Sequence, residues 1–166
     1  MENQVRPYHP HFHNQLFGGF DEYSIIGNIM TTCMNGTMYT YEVAPCFTLM
    51  ETEIFQHMKK RIGWETIDGL MTPGGSFGNW NGMLLARYNR FPESKIKGIQ
   101  GLPKIKVITS SASHYSVDKG AILEGYGVEN IVKVDCNDKG EMLPEDLEFK
   151  IQEILAKGEV PLMVNA

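Results

Sequence analysis

The chain has 166 residues, 42% of them hydrophobic, enough for a globular domain with a sizeable core. Its net charge of −5 and scattered basic residues, clustered only at Lys59-Lys60-Arg61, lack the electrostatic footprint of a nucleic-acid binder. No apolar run is long enough to span a bilayer, no basic-then-apolar leader opens the sequence, and Cys33, Cys46 and Cys136 form no Cys-x-x-Cys pair; a cytoplasmic protein with reduced thiols and no membrane partner is expected.

The first twenty residues read as irregular, punctuated by Pro10 and the Gly18-Gly19 pair. His9, His11 and His13 alternate, so on an extended segment they share one face in the manner of metal ligands. No Cys, Asp or Glu sits among them to complete a tetrahedral set, and a solvated or interface segment without metal is the expectation. Ile25, Ile26, Ile29 and Met30 then recur at helical spacing, opened by Asp21 or Ser24 and stopped at Gly36. After Pro45 a longer helix places Phe47, Met50, Ile54, Met58 and Ile62 on one side and ends at Gly63. Such a stripe serves as core or as a dimer contact.

The stretch Leu70-Met71-Thr72-Pro73-Gly74-Gly75-Ser76-Phe77-Gly78-Asn79 turns from a hydrophobic lead-in, through a glycine pair, into a helix that runs towards Pro92. Glycines at such a junction let a ligand approach the backbone. The free N–H groups of the first turn and the positive end of the helix dipole favour an anion, most often phosphate. Ser76 is placed either to cap the helix or to bind the same anion. A plain tight turn with a serine cap fits the same residues. Neither the Gly-Lys-Ser/Thr ending of an ATP-type loop nor Gly-x-Gly-x-x-Gly is present.

Beyond this loop strands and helices alternate. Ile105–Thr109 reads as a strand, Val117–Leu123 as a helix, residues 130–135 as a second strand, residues 144–158 as a helix with Pro144 in its first turn, and residues 160–165 as a third strand. This rhythm predicts an open, mostly parallel α/β sheet with ligands beyond the carboxyl ends of the strands. His114, just past the first strand, lies at that rim, either as a satisfied polar residue at a helix start or as a flat ring packed on a ligand.

Five segments in order resemble the group II pyridoxal-phosphate-dependent amino-acid decarboxylases of the glutamate and cysteine-sulfinate type. They are His9–Leu16, Tyr39–Pro45, Pro73–Asn79, Ser113–Ser116 and Met142–Leu147, and they span nearly the whole chain. The resemblance implies an N-terminal helical, dimer-contact segment over residues 1–64. The beginning of the large domain of the aspartate-aminotransferase-like (type I) fold would follow over residues 65–166, truncated. It further implies a carboxy-lyase working with pyridoxal 5'-phosphate on an acidic amino acid, in a homodimer. By similarity, Gly75 and Ser76 contact the cofactor phosphate, His114 stacks on the ring, and Gln15 and Phe17 face the substrate. Phe17 stands where cysteine-sulfinate-type relatives carry an aromatic residue and glutamate-preferring ones a small hydroxyl, which favours a shorter acidic substrate such as cysteine sulfinate or aspartate.

Two departures stand out. Gly78 replaces the family's usual serine, which softens the expected phosphate cup. The family's cofactor-attachment lysine and its pyridine-pairing aspartate would lie past Ala166, so the chain is expected to be partial and inactive alone. Two alternatives remain: a non-catalytic truncated product that dimerises with a full-length subunit, and an unrelated nucleotide-binding α/β domain, which the missing fingerprint disfavours.

Overall fold

The structure, a computed structural model, describes residues 5–14, 16, 18–66 and 68–166, and the chain divides into two units, Met1–Met71 and Thr72–Ala166. The first unit holds helices α1 (Glu22–Met34) and α2 (Pro45–Ile62). Asp21 caps α1 by accepting the Ser24 N–H at 2.8 Å, and the Ser24 hydroxyl bonds the same carboxylate. These two bonds hold Asp21 below the usual carboxylate range.

The α1 stop falls at Asn35, in the left-handed region at φ 44°, one residue before the expected Gly36. Asparagine tolerates this conformation better than most residues, and its N–H closes on the Thr31 carbonyl. Helix α2 starts at Pro45, which has no amide hydrogen to leave unsatisfied, and stops at Gly63 as expected. Its apolar stripe is not core: Met50 is 53% and Ile62 48% exposed.

The second unit contains helix α3 (Gly75–Arg90), a short α4 (Ser94–Lys97), strand β1 (Ile105–Ser110), α5 (Ser116–Leu123), a 3-10 turn (Val128–Asn130), β2 (Ile131–Val134), α6 (Pro144–Ala156) and β3 (Val160–Asn165). The short α4 and the 3-10 turn, which takes the start of the expected second strand, carry no periodic signal in sequence. The strands form a parallel sheet in the order β2-β1-β3. Every residue of the central β1 is buried, as befits a parallel strand covered on both faces.

Alternate β1 residues serve opposite layers. Ile105 and Val107 pack with Met83 of α3 and Val117 and Ala121 of α5, while Ile108 packs with Val134 and with Ile154 of α6. The β1–β3 register shifts between Lys106 and Val107, opposite Pro161 and Met163. Pro161 has no N–H to give the ladder, which suits an irregular position. The carboxyl ends of the strands, the start of α3 and the start of α5 thus belong to one well-packed unit, and the candidate site is built there.

Candidate functional site

The glycine loop opens with Gly74 at φ 99° and ψ 158°, a conformation that strains any residue with a Cβ. Its N–H donates to the Thr72 carbonyl at 2.8 Å, and the Thr72 hydroxyl donates back to the Gly74 carbonyl at 3.2 Å. Gly74 is the helix cap. Ser76 therefore does not cap α3; it is the second residue inside the helix, half-buried, and its hydroxyl has no hydrogen-bond partner among the described residues. The first helical N–H groups, on Gly75, Ser76 and Phe77, have no carbonyl one turn back to accept them. A Cβ built on Gly75 would meet nothing within 4 Å, so the space before this helix end is open. Open space, unpaired amides and an unused hydroxyl make a donor set suited to a phosphate.

Space does not require glycine at position 78, so its helix-propensity cost is not offset by packing. A Cβ there meets only Thr72 Oγ1, at the ordinary contact distance of 3.6 Å.

His114 lies in the loop between β1 and α5, exposed, at the carboxyl edge of the sheet. Its Nδ1 accepts the Ser116 backbone N–H at 3.2 Å and is hydrogen-bonded to the Ser116 hydroxyl at 2.9 Å. The Tyr115 ring lies against the imidazole, with centroids 4.0 Å apart and planes at 36°. Lys119 Nζ stands 4.4 Å from the Tyr115 centroid.

Ser116, 0% exposed, is the joint between this loop and helix α3. Asn79 Nδ2 donates to its hydroxyl at 2.8 Å, and Trp80 Nε1 donates to its carbonyl at 2.9 Å. Helix α5 comes this close to α3 because residue 120 is glycine. A Cβ there would lie 2.7 Å from both Met83 Sδ and Trp80 Cδ1. The structure therefore ties His114 to the helix that begins with Gly75 and Ser76. Asn79, Trp80, Ser116 and Gly120 were not legible as site residues from sequence. Asn79 and Ser116 fall inside recognisable segments, but nothing in their spacing pairs them.

Further along the same edge, Ala112 donates its N–H to Ser110 Oγ at 3.0 Å, and that hydroxyl lies 2.8 Å from Cys136 Sγ. Hydrogen bonding by Ser110, then Ser111, holds the Cys136 thiol below its usual range. Thr109 Oγ1 donates to the Asn165 carbonyl at 2.9 Å, and Lys133 pairs with Asp118 at 3.0 Å. Among the described residues no His, Cys, Asp and Glu group can hold a metal ion, and none contains a helix long and apolar enough to cross a membrane. His9 and His11 sit side by side, with His9 Nδ1 accepting the His11 N–H at 3.1 Å. The two expected substrate-facing residues, Gln15 and Phe17, lie outside the described residues.

The whole of residues 1–166 matches the model of the pyridoxal-dependent decarboxylase conserved domain. The chain belongs to the pyridoxal-dependent decarboxylase family. It is 43% identical over 162 residues to cysteine sulfinic acid decarboxylase of Rattus norvegicus, covering 98% of this chain and 33% of that protein. It is likewise 43% identical to acidic amino acid decarboxylase GADL1 of Bos taurus, with 98% and 31% covered. A crystal structure of mouse CSAD superposes with a TM-score of 0.93 at 42% identity, over 97% of this chain and 34% of that one. The chain thus spans about a third of the length of the decarboxylases it matches. The mixed helical and parallel-sheet architecture expected from the resemblance is the one observed, and pyridoxal phosphate is the cofactor of this decarboxylase family.

Proposed function

We propose that this protein is a decarboxylase of an acidic amino acid, with cysteine sulfinate preferred over glutamate and aspartate as a further candidate. Its cofactor site would draw on Gly75, Ser76 and His114. The observation that carries the reading is the pairing of an unused phosphate-type donor set at the start of α3 with His114, tied to that helix through Ser116. Bound there, pyridoxal phosphate supplies an electron-accepting pyridine ring for the pair left behind by departing carbon dioxide.

The chain's own residues would do the positioning. The amides of Gly75 and Ser76 and the Ser76 hydroxyl take the phosphate, which the helix dipole favours in its anionic form. The exposed His114 ring packs on the cofactor. Gln15 and Phe17 are assigned to the substrate by the family resemblance, in which an aromatic residue at the position of Phe17 goes with a shorter acid. Relatives named for cysteine sulfinic acid and for acidic amino acids, both 43% identical, support that substrate class. The reading includes a homodimer, for which the exposed Met50, Ile54, Met58 and Ile62 of α2 offer apolar surface. It also includes a cytoplasmic setting, supported by three free cysteines, Cys33, Cys46 and Cys136.

The test is carbon dioxide release by the full-length protein, reconstituted with pyridoxal phosphate, from cysteine sulfinate, aspartate and glutamate in parallel. Turnover of cysteine sulfinate above glutamate supports the reading. Glutamate turned over above cysteine sulfinate contradicts the preference, and release from none of the three contradicts the substrate class.

A further inference from the structure

The hydrogen bonds around His114 have a direction, and one donor fixes it. A backbone N–H can only donate, and the Ser116 N–H is aimed at His114 Nδ1, 3.2 Å away. Nδ1 is therefore an acceptor and carries no proton. The Ser116 hydroxyl, 2.9 Å from the same nitrogen, must then donate its hydrogen to it. That leaves the Ser116 oxygen to accept from the other side, where Asn79 Nδ2 stands at 2.8 Å. Asn79 can supply that donor because a side-chain amide has two N–H bonds. The three groups agree on one polarity.

We propose that Asn79 and Ser116 are positioning residues that hold His114 as the neutral tautomer with its proton on Nε2. Among the described residues Nε2 has no hydrogen-bond partner, while both donors to the ring converge on Nδ1. The imidazole accordingly presents an N–H, not a lone pair, to whatever occupies the site. Ser116 suits this task because it is fully buried, so water does not compete for its hydroxyl. Trp80, donating to the Ser116 carbonyl at 2.9 Å, keeps that residue in place. The relay also makes the cofactor-side histidine dependent on the helix that begins the phosphate cup, since Asn79 is one turn into α3. Its consequence for catalysis rests on the proposed packing of His114 against the cofactor; the tautomer itself does not.

The experiment is nitrogen-15 NMR of the full-length protein labelled at histidine, without cofactor and at mildly alkaline pH, with His114 assigned by its loss in His114→Gln. The expected pattern is a pyridine-like Nδ1 and a pyrrole-like Nε2. Asn79→Asp replaces the donor by an acceptor, so the Ser116 hydroxyl turns towards the carboxylate and Nδ1 loses one of its two donors. The tautomer ratio should move towards Nδ1–H by roughly fivefold or more, the scale of one hydrogen bond. Asn79→Gln, which keeps a donor, should move it less. A native protein with Nδ1–H overturns the proposal without any variant. So does a folded Asn79→Asp protein with an unchanged ratio. An Nε2–H His114 in a protein whose pyridoxal phosphate uptake is indifferent to His114→Gln upholds the relay and overturns the cofactor role of His114 instead.

Discussion

The close approach of α5 to α3 can be tested at a single position. Gly120→Ala adds one methyl group where an ideal Cβ would lie 2.7 Å from Met83 Sδ, 2.7 Å from Trp80 Cδ1 and 3.3 Å from Trp80 Nε1. Neither neighbour yields freely. Met83 is buried among Ile105, Val107 and Val117, and the Trp80 indole is held by its bond to the Ser116 carbonyl. Overpacking of this kind costs about 1–3 kcal/mol. Displacing the indole forfeits a hydrogen bond worth about 1 kcal/mol. Alanine recovers up to about 1 kcal/mol through its better helix propensity. The net expectation is a loss of about 1–3 kcal/mol, read as a lower urea midpoint with an unchanged denaturant slope. Because the strain falls on Trp80 and Ser116, pyridoxal phosphate should also bind more weakly. A Gly120→Ala protein as stable as the native one, or more so, would refute the claim that glycine is required for the two helices to meet.

Other substitutions separate conformational from chemical roles. Gly74→Ala finds open space for its methyl group but must hold φ 99°, so a cost of about 1–3 kcal/mol should appear in thermal unfolding without any packing defect. Ser76→Asp places a negative charge at the start of α3. Stability should hold or rise by about 0.3–1 kcal/mol through the helix dipole, while cofactor affinity, followed by fluorescence titration, should fall through repulsion of the phosphate. Tyr126 is pushed up to about 12 by burial, so the fold favours its neutral form. Stability attributable to it is complete below the ordinary value of 10.0 and declines as pH rises from there to about 12. Tyr126→Phe should remove that alkaline decline in urea midpoints. Glu124→Gln removes the carboxylate 3.0 Å from the buried Arg87 guanidinium, which keeps its bond to the residue-124 carbonyl at 3.1 Å, and should destabilise the unit by about 1–3 kcal/mol, measurable by the same titration.

The elements that were legible in sequence are those with strong local signals. Pro45, Pro144 and Gly63 mark helix ends through φ restriction, a missing amide hydrogen and left-handed tolerance, and each does so in the structure. The hydrophobic run Ile105–Thr109 between Pro103 and a serine cluster gave the buried central strand, and the alternation beyond it gave the parallel sheet. Local signals misled where two residues competed for one role. Asn35 took the left-handed position ahead of Gly36, and of the two roles open to Ser76 the cap fell to Gly74. The α2 stripe predicted an apolar face but not what covers it, because periodicity reports a surface and not its partner. The Asn79–Ser116–His114 joint was hidden for a different reason. Its members are 37 and 2 residues apart, and only the packing of α5 on α3 at Gly120 makes them neighbours.

If the α3 amides, Ser76 and His114 make a pyridoxal phosphate site for decarboxylation of an acidic amino acid, cofactor binding and turnover must both depend on them. The most direct measurement is a cofactor titration of the full-length protein, followed in visible absorbance and coupled to carbon dioxide release from cysteine sulfinate, for the native protein and for Ser76→Asp and His114→Gln. A saturable visible band and carbon dioxide release are expected in the native protein, with affinity lost in Ser76→Asp and turnover lost in His114→Gln. Equal binding and equal turnover in all three proteins would contradict that dependence.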